Sequence, residues 1–150
     1  MFCECCGYPT LGVPLGQYEL EFDSAQRACP LCEWENPRLT AAGKAVPDGE
    51  SAEERNDGRS LAEARASFAR NLSMYDPAHL EPWMLGPPSA EVIRRKEALR
   101  DAYDALLAAP ESSRWDAWTS VRDCEDALAA QIAGDHDDGD ASTSSGESDV

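Results

Sequence analysis

The sequence predicts an α+β chain: a small zinc ribbon, made of a β-hairpin with two cysteine knuckles, followed by helices that include a C-terminal αα-hairpin. Three observations predict it. Two C-x2-C pairs, Cys3/Cys6 and Cys29/Cys32, are separated by 22 residues. The stretch between them is apolar-rich and β-prone. Beyond residue 60, apolar residues recur at three- and four-residue spacing.

The cysteine pairs come first. Two residues between cysteines allow a tight turn that aims both sulfurs at one point. Two such turns supply four thiolates, which complete the tetrahedral shell of Zn2+ and leave no open position. The expected metal ligands are therefore Cys3, Cys6, Cys29 and Cys32, and the expected cofactor is Zn2+, with iron left open by the residues themselves. Gly7 follows the first pair, where a positive φ is often needed. Pro30 sits inside the second, CPLC, where it pre-sets a turn. The segments YPTLGV and QYELEF, with the corner Pro14-Leu15-Gly16 between them, read as a hairpin that returns the second pair to the first. Cys5 is then a spare thiol, either a small packing residue or a reactive group beside the metal. A register in which Cys5 replaces Cys3 or Cys6 stays open.

After residues 1–36, residues 37–59 read as a polar surface loop, turn-rich and without a period. Residues 60–88 read as a helix plus a Pro-rich connector. The helix opens at Ser60, where SLAE is a capping box. Its expected buried stripe is Leu61, Ala62, Ala66, Phe68, Ala69 and Leu72. The prolines of MYDPAHLEPWMLGPP end the pattern.

Residues 89–133 read as a helical hairpin. Ser89 is the expected N-cap of its first helix, and Val92, Ile93, Leu99, Tyr103, Leu106 and Leu107 form the stripe. Its second helix starts near Ser112 or Ser113 and carries Trp115, Trp118, Val121, Cys124, Leu128 and Ile132, with Gly134 as its stop. Trp83, Trp115 and Trp118 are expected in the seam. Residues 134–150 read as a disordered acidic tail.

Charge and composition limit the function. The formal net charge is −16. The last 16 residues hold six acids and no Lys or Arg, so the body keeps −10 of that total. Nucleic-acid binding rests on Lys and Arg neutralising phosphates, so no nucleic-acid partner is expected, and a basic protein partner fits better. No run of about 20 apolar residues is present, so no membrane span is expected. The start MFCECC has neither a basic n-region nor an apolar h-region. The expected compartment is the reducing cytoplasm, where six cysteines argue for metal or redox chemistry over disulfides.

Three stretches, CECCGYPTLG, CPLCEWEN and NDGRSLAEARASF, resemble the bacterial cysteine-rich CPCC domain family. Its members begin CPCCGY-x-TL, continue with CPVCFWEDD, and later carry G-x-SL-x-EAR-x-x-F. The resemblance covers about residues 3–75 and implies a small zinc-ribbon-like metal binder of no settled enzyme class. Glu4 stands where the family has Pro, and Glu33 and Asn36 stand where it has Phe and Asp. Trp34 matches the family's Trp after the second pair, and is expected to shield the thiolates or to pack on the EAR helix. Arg65 of that helix is expected to reach a carbonyl beside the thiolates or to pair with Glu35.

A closed four-cysteine shell argues against zinc catalysis, and His79 has no His or Cys at ligand spacing. The expected function is a non-enzymatic, zinc-stabilised intracellular protein-interaction module, built as immunity or antitoxin proteins are to neutralise a basic partner. The alternatives are a thiol-based zinc redox switch and an uncharacterised hydrolase-type enzyme.

Overall fold

The computed structural model describes residues 2–11, 28–38, 44–47, 49–81, 84 and 86–140, with side chains as far as Asp135. Four α-helices run in chain order: α1 (Ala52–Arg55), α2 (Leu61–Asn71), α3 (Ala90–Ala108) and α4 (Arg114–Asp140). A 3-10 turn, Glu111–Ser113, leads into α4.

The expected β-hairpin ribbon is overturned. Among the described residues there is no β-strand, and 54% of them are helical. Ala28 and Glu35 form only an isolated antiparallel bridge. The reason is visible at the start of the first expected strand. The Tyr8 carbonyl accepts from the Cys3 N–H at 2.9 Å and from the Thr10 N–H at 2.8 Å. That folds the chain back on the cysteines where a strand would extend, and Pro9 has no N–H to offer a ladder. The corner Pro14-Leu15-Gly16, the segment QYELEF and Trp83 lie outside the described residues.

The expected polar loop contains α1. Ser51 and Glu54 form a complete capping box, so S-A-E-E is the same signal as the S-L-A-E that opens α2. In α2 the Ser60–Glu63 box is present in both directions. Its buried face is displaced from the expected stripe. Ala64 and Ser67 are buried and Leu61 and Phe68 half-buried, while Ala62, Ala66 and Ala69 are exposed. Small side chains on the inner face let this helix lie close to the cysteine turns.

Ser89 caps α3 by accepting from the Val92 N–H at 3.2 Å. The buried positions are Val92, Lys96, Leu99, Tyr103 and Leu106, a repeat of four and three residues with a lysine in one slot. Ile93 and Leu107, expected in the stripe, are exposed. The short connection after Ala108 turns the chain back, and α3 packs against α4. Trp118, Val121 and Leu128 of α4 are buried, Cys124 and Ile132 pack partly against the same core, and Trp115 is exposed. The helix runs through Gly134 to Asp140, because a helical Gly lowers stability without obliging a stop.

One polar pair crosses the α3–α4 seam. The Tyr103 hydroxyl donates to Glu125 Oε1 at 2.6 Å, and Arg122 donates to Oε2 at 2.7 Å. Burial raises the Glu125 carboxyl above the ordinary glutamate value of 4.5, opposed by the Tyr103 bond and by Arg122. A carboxyl raised on folding contributes stability that is complete below its unfolded value and is lost as pH rises through the folded value. Glu125→Gln keeps an acceptor for Tyr103 and removes the titration. In urea unfolding, the stability of Glu125→Gln relative to wild type is expected to rise as pH increases above the ordinary glutamate value of 4.5; a pH-independent difference would contradict the assignment.

Candidate metal centre

The two cysteine turns share one hydrogen-bond frame. In the first, the Gly7 N–H donates to the Cys3 carbonyl at 3.0 Å and the Cys3 N–H to the Tyr8 carbonyl at 2.9 Å. In the second, the Glu33 N–H donates to the Cys29 carbonyl and the Cys29 N–H to the Trp34 carbonyl, both at 2.9 Å. The residue after each pair is left-handed, Gly7 at φ 74° and Glu33 at φ 70°. Glycine adopts that φ freely, whereas a residue with a Cβ does so at a cost of about 1–2 kcal/mol.

These frames bring four sulfurs together. Cys3 Sγ lies 3.6 Å from Cys32 Sγ, and Cys6 Sγ lies 3.7 Å from Cys29 Sγ. All four lie within 4.8 Å of one another. Sulfurs bound at about 2.3 Å to one tetrahedral Zn2+ stand about 3.8 Å apart, so the donor set fits such an ion. Cys3, Cys29 and Cys32 are buried and Cys6 is half-buried. None of the six cysteines is in a disulfide.

The cluster is electrostatically frustrated without a cation. Thiol donors from Cys29, Cys32 and Cys6 pull the Cys3 thiol well below its ordinary value. Cys29 first and Cys3 next push the Cys6 and Cys32 thiols strongly upward. One thiolate can be stabilised by its neighbours' S–H groups; four at this spacing need a positive ion among them.

The supports come from distant parts of the chain. Asn36, buried, accepts from the Glu4 N–H at 3.0 Å and directs its Nδ2 to Cys3 Sγ at 3.6 Å and to the Trp34 carbonyl at 3.2 Å. Arg65 of α2 donates twice to the Glu4 carbonyl, at 3.2 and 2.8 Å, which is the backbone between Cys3 and Cys5. The Met74 N–H donates to the Cys32 carbonyl at 2.8 Å. Asn56, the C-cap of α1, holds Glu35 as a strand would: Oδ1 accepts from the Glu35 N–H at 2.8 Å and Nδ2 donates to its carbonyl at 3.1 Å. A third bond runs from Nδ2 to the Ala52 carbonyl at 2.8 Å. Trp34 is wholly buried in the same core as Ala64 of α2.

The Tyr8 ring packs tilted on Tyr103 at 5.6 Å and edge-on to Phe68 at 6.4 Å, and its hydroxyl donates to Asp104 Oδ1 at 2.9 Å. The first turn thereby rests on both α2 and α3.

Cys5 is buried beside this group but is not one of the four converging sulfurs. The thiol of Cys32 and, against it, burial act on Cys5, with a net lowering. His79 is exposed and faces Asp76 Oδ2 at 3.5 Å, while Glu81 pairs with Arg59. Asn36 and Asn56 escaped sequence reading, because nothing in their local sequence marks an amide that serves a backbone 20 or more residues away.

Two substitutions test the frame. A Cβ on Gly7 meets nothing within 4 Å, so the loss from Gly7→Ala is conformational alone, about 1–2 kcal/mol by urea unfolding. Asn56→Ala strips both polar groups of Glu35 of their amide partner and is expected to cost about 2–3 kcal/mol in the same assay. No protein-family model matches this chain, and no curated protein or solved structure matches it either.

Proposed function

We propose that this chain is a zinc-stabilised protein-interaction module of the bacterial cytoplasm, akin to the cysteine-rich CPCC domain family, and that it acts without catalysing a reaction. The observation that carries the reading is the convergence of Cys3, Cys6, Cys29 and Cys32 within 4.8 Å. Four thiolates on one Zn2+ leave no position for substrate or water, which is the donor set of a structural site. Bound there, the ion supplies charge neutralisation and cross-linking. The residues of the chain orient the sulfurs through Asn36, Arg65 and the two turn frames.

The partner we propose is a basic protein. The chain carries 29 acids against 13 Lys and Arg, and a field of that sign favours encounter with positive surfaces. An immunity-like or antitoxin-like role is the form of this reading that suits a small acidic chain. No helix among the described residues is long and apolar enough to cross a membrane.

Elemental analysis of protein purified from zinc-supplemented cells tests the site. Wild type and Cys5→Ser are expected to carry about one zinc per chain, and Cys29→Ser far less. Zinc-free wild type would refute the proposal, and equal loss in Cys5→Ser would replace the ligand set. Cys29→Ser then serves as the control in capture experiments with basic partners, where retention must depend on the intact site.

A further inference from the structure

Lys96 of α3 is the one buried lysine among the described residues, with a residue exposure of 2%. Its ammonium has two polar partners on the cysteine side of the molecule. Nζ lies 3.0 Å from Glu33 Oε2 and donates to the Leu72 carbonyl at 3.3 Å. Glu33 is the left-handed residue that closes the second cysteine turn. Leu72 is the left-handed C-cap of α2, at φ 53°. Among the described residues only three non-glycine residues have positive φ, and two of them are the partners of Lys96. Ser73, next to Leu72, also donates to Glu33 Oε2.

The two cysteine turns are alike in backbone and differ at this residue. The first uses Gly7, at no conformational cost. The second uses Glu33 and bears the strain of a Cβ at φ 70°. The carboxylate so placed is what the buried ammonium needs. If the turn relaxes, Glu33 leaves the left-handed region and its carboxylate swings off Lys96. A buried ammonium without its counter-ion strongly destabilises the packing around it.

We propose that the Glu33–Lys96 contact makes docking of the α3–α4 hairpin contingent on a metal-loaded cysteine site. This rests on the metal reading above and adds a consequence to it. Metal holds the second turn closed; the closed turn presents Glu33; Glu33 neutralises Lys96; α3 can then bury Lys96 with Val92 and Leu99. By linkage, a docked hairpin also strengthens metal retention. The hairpin's surface is therefore offered in one arrangement when metal is bound and released from it when metal is lost.

The full chain, purified with zinc, is compared before and after stripping with a chelator by hydrogen–deuterium exchange and circular dichroism, with metal content measured in each sample. In wild type, stripping is expected to speed exchange across the Ala90–Tyr103 part of α3 by about tenfold or more while much of the helical signal remains. Two substitutions move in opposite directions. Glu33→Gln leaves Lys96 without its counter-ion, so α3 exchanges fast even with zinc bound. Lys96→Met fills the slot with an uncharged side chain of similar length, so α3 stays protected even when zinc is stripped. Arg94→Gln, which removes an exposed pair with Glu91, behaves as wild type. A generic structural role predicts loss of protection in both variants, and that result overturns the proposal. So does α3 protection in wild type that is indifferent to stripping, or complete loss of helix on stripping. If Lys96→Met does not fold, wild type and Glu33→Gln still decide between these outcomes. Protein that never contained metal refutes the site itself; protein that loses metal and keeps α3 protected refutes only the coupling.

Discussion

Four sulfur atoms crowded within 4.8 Å of one another set the constraint to which the surrounding structure answers. Thiols at that distance cannot all ionise on their own, and no disulfide joins them. The chain does not leave the crowding to the cysteines. An amide from Asn36, a guanidinium from Arg65 and a backbone N–H from Met74 fix the turns that carry the sulfurs. The cysteines share one core with Leu99, Tyr103, Val121 and Leu128, so a site that ties residues 3 and 32 together bears on the packing of the helices as well.

The supports divide between the two turns. The first is met by Tyr8 on Tyr103, Phe68 and Asp104 and by the polar side chains of Asn36 and Arg65 on the Glu4 backbone. The second is met by polar groups: Asn56 on the Glu35 backbone, Ser73 and Lys96 on the Glu33 carboxylate. The helix α2 lies between, giving Arg65 to one turn, while Ser73 and Met74 just past its C-cap bond to the other. Near-identical backbone frames thus make unlike connections to the same helical body. The bonds of Ser73 and Lys96 trace to one pair of equivalent positions, Gly7 in one turn and Glu33 in the other.

Much of this was legible in the sequence, and the rest was hidden for physical reasons. C-x2-C spacing is a local property, so the four sulfurs could be named directly. Capping boxes and N-caps are also local, which is why Ser60 and Ser89 are legible; S-A-E-E at Ser51 carries the same signal inside a polar stretch. The phase of α2 is hidden because alanine contributes weakly to a hydrophobic period, so Ala62 and Ala64 look alike until packing chooses between them. The expected β-hairpin is absent among the described residues because β-prone composition does not reveal the bonds that Tyr8 makes back to the cysteine turn. Lys96 interrupts the stripe of α3, and its counter-ion is 63 positions away. No local rule anticipates such a pairing.

The span of the Tyr8–Asp104 hydrogen bond, 96 positions along the chain, bears on how the molecule comes into being. During synthesis the cysteines emerge long before the helix that buttresses them. Roughly a hundred residues must leave the ribosome before the first turn meets α3, at a pace of about 5–20 residues per second. For those seconds the first turn stands without its partners on α3, Tyr103 and Asp104.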